Sequence, residues 1–314
     1  MSYDRLKQRL QSGEVVILDG ATGTELQRRG ASMDPATWCG TATLEHDRLL
    51  TAIHGDYIAA GAEVITANTF ASSRLMLAGA CLEDRVEEVN RRAVEAALRA
   101  RDAAPDPADV LVAGSLSHMV PVASGSDVVD PSQVPSEAQI ADAFAELAGI
   151  LAGAGCDLIM LEMMYNPARI RPALEAALAS GLPVWFGLSV RRGQDGRVLS
   201  FDRHEELPLE AVTAMIPETG VDVAGVMHSG SELVEDTLVA IRRRFDGPLM
   251  AYPDSGYFEM PDWQFVDIIA PERFEDFCRQ WIADGVQVIG GCCGLTVAHV
   301  QAAVRARDEL ALES

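Results

Sequence analysis

The sequence predicts an α/β fold, a (β/α)8 TIM barrel forming a single domain over residues 1–314. Three observations carry that prediction. Eight short runs rich in Val, Ile and Leu recur along the chain, the segments between them show helical spacing, and polar residues collect where the runs end.

The runs lie at 15–19, 63–68, 110–115, 158–162, 183–190, 223–228, 249–252 and 286–291. Each is apolar at nearly every position, the pattern of a parallel strand buried on both faces. Between the second and third runs, Val86, Val89, Ala93, Val94 and Leu98 recur at the 3.6-residue period of an amphipathic helix, with an Arg/Glu-rich face left for solvent. A long Pro/Asp/Ser-rich loop at 119–135 follows the third run, and Ser136 with Gln139 offers capping chemistry for the helix beyond it. A second excursion, 257–271, carries Phe258, Trp263 and Phe265 after the seventh run. The alternative, a doubly wound open sheet, calls for a Gly-rich phosphate turn after the first strand. Asp19-Gly20-Ala21-Thr22-Gly23 lacks that spacing.

Composition narrows the function. Lys and Arg number 25 against 47 Asp and Glu, a net charge of −22 that repels phosphate backbones and anionic membranes, so neither nucleic acid nor membrane is expected as a partner. The first ten residues lack a signal-peptide pattern and no run approaches eighteen apolar residues, which points to a cytoplasmic protein, with a homo-oligomer compatible. Six irregularly spaced cysteines make no disulfide framework. The adjacent pair Cys292-Cys293 stands out: flanking glycines permit a sharp backbone that turns both sulfurs toward one point, and two thiolates there suit zinc. Buried core thiols or a vicinal disulfide are the other readings of that pair.

In a barrel, chemistry belongs at the carboxyl ends of the strands. Asp19-Gly20, Asn68-Thr69-Phe70, Glu162, His228, Tyr252 and Cys292-Cys293 all fall there. Four segments, Asp19-Gly20-Ala21-Thr22-Gly23-Thr24-Glu25-Leu26, Ala60-Gly61-Ala62 leading into Ala67-Asn68-Thr69-Phe70, Tyr252-Pro253-Asp254-Ser255-Gly256 and Gly290-Gly291-Cys292-Cys293-Gly294, occur in an order that resembles the zinc-dependent homocysteine S-methyltransferase family. That family includes betaine–homocysteine and S-methylmethionine–homocysteine methyltransferases and the homocysteine domain of cobalamin-dependent methionine synthase.

The resemblance covers about residues 14–305 and implies a (β/α)8 barrel in which zinc activates homocysteine as a thiolate. It implies that Asp19, with its neighbour Gly20, and Glu162 receive the substrate ammonium, and that Trp38 covers a sulfonium or quaternary ammonium methyl donor with its ring face. Asn68 and Tyr252 are further substrate-binding candidates, and Tyr257 a more distant one. Turn capping for Asp19, an internal salt bridge for Glu162 and plain packing for Trp38 are the structural alternatives.

Two departures lie at the site itself: Met163-Met164-Tyr165 follows Glu162 where many relatives have other residues, which changes the substrate wall, and the zinc-ligand pattern differs. The family's third zinc ligand is a cysteine in a Gly-Val-Asn-Cys pattern, and this chain has Gly225-Val226-Met227-His228. The catalytic metal set expected here is therefore His228, Cys292 and Cys293. Two thiolates and a neutral imidazole leave zinc without net charge, whereas three thiolates leave −1, so a thiol bound here is more acidic and less nucleophilic. A more reactive donor, or an acceptor other than homocysteine, follows from that. Two other functions are compatible with the same residues: a zinc hydrolase with Glu162 as base, and a catalytically silent binding protein. His118 gains no role beyond lining the mouth, and His46, His54, His204 and His299 read as surface or packing residues.

Overall fold

Eight parallel strands close on themselves in the computed structural model, which describes residues 2–122 and 128–313. In chain order the strands are β1 (Val16–Gly20), β2 (Val64–Ala67), β3 (Leu111–Ser117), β4 (Leu158–Met164), β5 (Val184–Leu188), β6 (Val190–Arg192), β7 (Val198–Ser200), β8 (Val223–Gly230), β9 (Leu249–Asp254), β10 (Tyr257–Glu259), β11 (Asp262–Gln264) and β12 (Val286–Gly291). The barrel runs β1-β12-β9-β8-β5-β4-β3-β2 and back to β1, a (β/α)8 TIM barrel in one domain. All eight barrel strands coincide with the apolar runs, because side chains buried on both faces leave a continuous hydrophobic signature; β1 and β5 are buried at every position.

Helices between the strands cover the outside. Val86–Asp102 packs Val89, Ala93 and Val94 inward, as its periodicity requires. Glu137–Ala154 begins with a full capping box: Ser136 Oγ accepts from the Gln139 amide, while Gln139 Oε1 accepts from the Ser136 amide at 2.9 Å. The first helix, Tyr3–Gln11, closes the bottom of the barrel. Its Leu6 and Leu10 are buried, Tyr3 donates to Asp222 at 2.9 Å and accepts from Trp185 Nε1 at 2.8 Å, and Gln287 Nε2 donates to the Leu10 carbonyl. No helix among the described residues is long and apolar enough to cross a membrane.

The structure departs from the sequence expectation in three places. The run 183–190 is not one strand: β5 ends at Leu188, the Ser189 amide makes the last rung of the β4–β5 ladder with the Met164 carbonyl, and Val190, whose amide donates to Ser229 Oγ at 2.9 Å, starts an antiparallel hairpin of β6 with β7. The 257–271 excursion contains a second hairpin, β10 with β11, that folds Phe258 and Trp263 over the barrel mouth. The 119–135 loop is described only at its ends, where Val122 and Val129 form an antiparallel bridge; 123–127 lie outside the described residues.

Candidate active site

Regular strands alternate their side chains, so bringing several onto one point takes local irregularity. The pairing of β8 with β9 shifts register between Met227 and Gly230, and that of β4 with β5 shifts between Leu161 and Met164. Within these breaks His228 and Met163 take left-handed backbone conformations, φ +46° and +59°, and Trp38 after β1 does the same at +53°. Such residues cost about 1–3 kcal/mol each and collect at functional sites. Glycine supplies the same freedom beyond β12: Gly294, at φ +82°, lets the chain turn sharply after the cysteine pair.

The result is a buried cluster. His228, Cys292 and Cys293 offer ligand atoms that all lie within 4.8 Å of one another. The two sulfurs are 3.7 Å apart, and His228 Nδ1 is 3.2 Å from Cys292 Sγ. Two sulfurs each about 2.3 Å from a tetrahedral zinc stand about 3.8 Å apart, so the pair already spans one edge of such a tetrahedron. One nitrogen and two sulfurs with an open fourth position are a donor set that fits zinc. Burial pushes the Cys292 thiol well above its ordinary range and Cys293 adds to it, while His228 pulls it back; a divalent cation held there would favour the thiolate further. Burial also works against the charged form of His228, yet Cys292 and Glu162 beside it raise its pKa well above the ordinary value.

Around the cluster is a 40 Å³ cavity lined by Trp38, Asn68, Phe70, Glu162, Tyr252, His228 and both cysteines. Of the residues expected at the site, these are the ones the fold brings together. Asp19 sits behind them, fully buried, with Thr66 donating its amide at 2.6 Å and Tyr252 its hydroxyl at 3.3 Å. Burial raises the Asp19 carboxyl well above the usual range, Glu162 raises it further, and the Thr66 and Tyr252 hydrogen bonds pull the other way. Gly20 lines neither cavity; its missing side chain makes room for Tyr57, whose ring lies 2.4 Å from where a Cβ would be. Asn68 donates to the Cys39 carbonyl at 2.9 Å and to Thr43 at 3.2 Å, fixing the loop that carries Trp38. Glu162 accepts from His228 Nε2 at 2.9 Å.

A wider chamber of 280 Å³ lies outside, sharing Trp38, Phe70, His228 and Cys293 with the inner cavity. Trp38 meets Phe70 and Phe258 edge to face, at 6.0 and 5.5 Å between ring centres. Met163, expected on a changed substrate wall beside Glu162, lines this chamber; sequence reasoning did not assign roles to Phe70, which leans on the His228 ring at 5.1 Å, or to Asp254 and the hairpin residues Arg191 and Phe201 on the chamber wall. Phe70 was signalled by its place at the end of β2; the hairpin residues carried no signal. Tyr257 reaches the chamber from its rim. His118 has a structural duty instead: it is fully buried, and its Nε2 accepts from the amides of Tyr165 and Asn166 at 3.0 and 3.1 Å.

A parallel barrel with a buried His/Cys cluster at its carboxyl-terminal mouth, under an aromatic-walled chamber, defines a barrel enzyme whose chemistry centres on sulfur. Comparison with known proteins is specific. Residues 16–307 match the family model described as homocysteine S-methyltransferase. Homocysteine S-methyltransferase 2 of Zea mays is 27% identical, over 93% of this chain and 89% of its own. Homocysteine S-methyltransferase of Escherichia coli (strain K12) is 28% identical, over 96% of this chain and 98% of its own. The crystal structure of the Escherichia coli homocysteine methyltransferase MmuM in its metallated form superimposes with a TM-score of 0.76 at 26% identity, covering 95% of this chain and 98% of that one. The chain belongs to the homocysteine S-methyltransferase family and is a methyltransferase.

Proposed function

We propose that this methyltransferase moves a methyl group from a sulfonium or quaternary ammonium donor to the thiol of homocysteine, giving methionine, with zinc held by His228, Cys292 and Cys293. The convergence of those three side chains in a chain of this family carries the proposal. Zinc there supplies a Lewis acid that keeps a thiol ionised at neutral pH. The protein does the rest. Glu162 presents a carboxylate and Tyr252, its hydroxyl backed by Asp19, a polar oxygen to the ammonium of the acceptor, and Asn68 holds the Trp38 loop in place. Trp38, Phe70 and Phe258 offer ring faces and edges to a cationic donor and keep water out. With sulfur and methyl carbon aligned, the new S–C bond forms as the donor's bond to that carbon breaks. The donor leaves with the electron pair and without its positive charge, and no covalent bond to the enzyme is needed.

Membership of the homocysteine S-methyltransferase family favours this reading over the hydrolase alternative. The test is metal content by mass spectrometry on wild type and His228→Ala, followed by methionine formation from homocysteine with S-methylmethionine or betaine. One zinc per chain, lost in the variant, together with methionine from one of the donors, is the expected result. A zinc-free wild type, or no methionine with either donor, overturns it.

A further inference from the structure

The structure assigns Glu162 the task of positioning residue for the His228 imidazole: it holds the ring so that Nδ1, and not Nε2, faces the cysteine pair. This rests on His228 being a metal ligand. The ring has two nitrogens with unequal surroundings. Nδ1 is 3.2 Å from Cys292 Sγ, whereas Nε2 is 4.0 Å from that sulfur and 2.9 Å from Glu162 Oε2. A neutral imidazole carries one proton, and an ionised carboxylate only accepts. Glu162 therefore fixes the proton on Nε2 and leaves the Nδ1 lone pair directed toward the sulfurs.

The need is peculiar to a histidine at this position. A thiolate has one ligand atom, no tautomers and no ring to orient, so a cysteine in place of His228 gives Glu162 nothing to hold. The local backbone fits a pair held under constraint: left-handed residues stand at His228 itself and at Met163, next to Glu162, and each lies in a strand whose register breaks at that point. Strain at both ends of one hydrogen bond persists only where the surroundings fix it. Phe70, leaning on the ring at 5.1 Å, is the remaining restraint. Glu162 Oε1 has no hydrogen bond among the described residues, and Glu162 lines the inner cavity. One oxygen thus serves the ligand while the other is left for the acceptor's ammonium.

The experiment is zinc affinity by competition with a chromophoric chelator, in wild type, Glu162→Ala, Glu162→Gln, His228→Cys and the double variant Glu162→Ala/His228→Cys. Loss of an outer carboxylate behind a ligating histidine weakens metal binding roughly 10- to 100-fold. Glu162→Ala is expected to show that loss and Glu162→Gln, whose amide oxygen still accepts the Nε2 proton, to recover most of it. In the His228→Cys background the same alanine is expected to cost less than about threefold, which a double-mutant cycle resolves. Unchanged zinc affinity in Glu162→Ala overturns the assignment. So does an equal loss in both backgrounds, which makes Glu162 a nearby charge and not a holder of the ring. Nitrogen NMR of His228 in the zinc-loaded wild-type protein, where one ring nitrogen carries the metal, gives a reading independent of variant folding, with Nε2–H expected and Nδ1–H overturning the assignment. Zinc that binds but ignores Glu162 refutes this inference alone, whereas a wild type that takes up no zinc refutes the metal reading beneath it.

Discussion

Gly294→Ala separates two costs that glycine avoids, backbone handedness and space, and the structure supplies its own control. At Gly294 φ is +82°, and a Cβ would come within 1.9 Å of the Ser255 carbonyl oxygen and 3.0 Å of its carbon. Gly13 has nearly the same φ, +88°, with nothing within 4 Å of its Cβ position. Placing alanine in the left-handed region costs about 1–2 kcal/mol, and Gly13→Ala should lose that much and no more. Gly294→Ala adds a backbone collision that cannot be relieved by rotating a side chain, so the loops after β9 and β12 must separate. Those segments are tied where the Ser255 amide donates to the Cys293 carbonyl at 2.9 Å and the Cys292 amide to the Pro253 carbonyl at 2.6 Å. Overpacking of this kind adds about 1–3 kcal/mol, for a total of about 2–5. Urea midpoints for the two variants measure the difference, and zinc content reports whether the cysteine pair has moved. Equal midpoints with full zinc in both variants would refute the claim that Gly294 is required by space at the site.

Three further expectations concern particular side chains. His54 is fully buried with both ring nitrogens unpartnered, and burial alone lowers its pKa from 6.5 to about 4. A ring kept neutral in the fold but charged in the unfolded chain withholds stability as pH falls below 6.5, up to about 3 kcal/mol near pH 4 at 1.36 kcal/mol per unit. His54→Leu should therefore stabilise the protein by about 1–2 kcal/mol at pH 7, with an advantage that grows toward pH 4; a gain independent of pH counts against this account. Trp38→Leu should raise the KM for a cationic donor about 2- to 30-fold, the range of a cation–π contact, while leaving the KM for the thiol nearly unchanged. His228→Cys should make the bound thiol more nucleophilic, about threefold in rate per unit of thiol pKa, and shift donor or acceptor preference; kinetics with unchanged preferences dispose of that argument.

The barrel was legible because its strands are apolar on both faces, and each of the eight announced itself as a run. The ends of those runs place His228, Glu162, Tyr252 and the cysteines at one barrel mouth, and these residues line one cavity. What stayed hidden depends on contacts between distant positions. Val190 leaves the barrel within its run, its amide held by Ser229 Oγ 39 positions away, which no local pattern encodes. The left-handed turn at Met163 falls on a residue with no preference for that conformation, and the modest preference of histidine does not single out His228, so the fold imposes both. The bond between Glu162 and His228 spans 66 positions and crosses over β5, and from sequence alone Glu162 reads equally as a substrate contact.

The helix Tyr3–Gln11 closes one end of the barrel, and the inner cavity adjoins the outer chamber through a shared wall of four residues. On the proposed function, a molecule seated in the outer chamber stands in the route of anything bound for the inner one. Traffic is then single file: the thiol enters first, the donor follows and shuts it in, and the spent donor clears the chamber before methionine can depart. The order of substrate addition then follows from the nesting of the two cavities at one mouth, since the packed barrel interior offers no second way in.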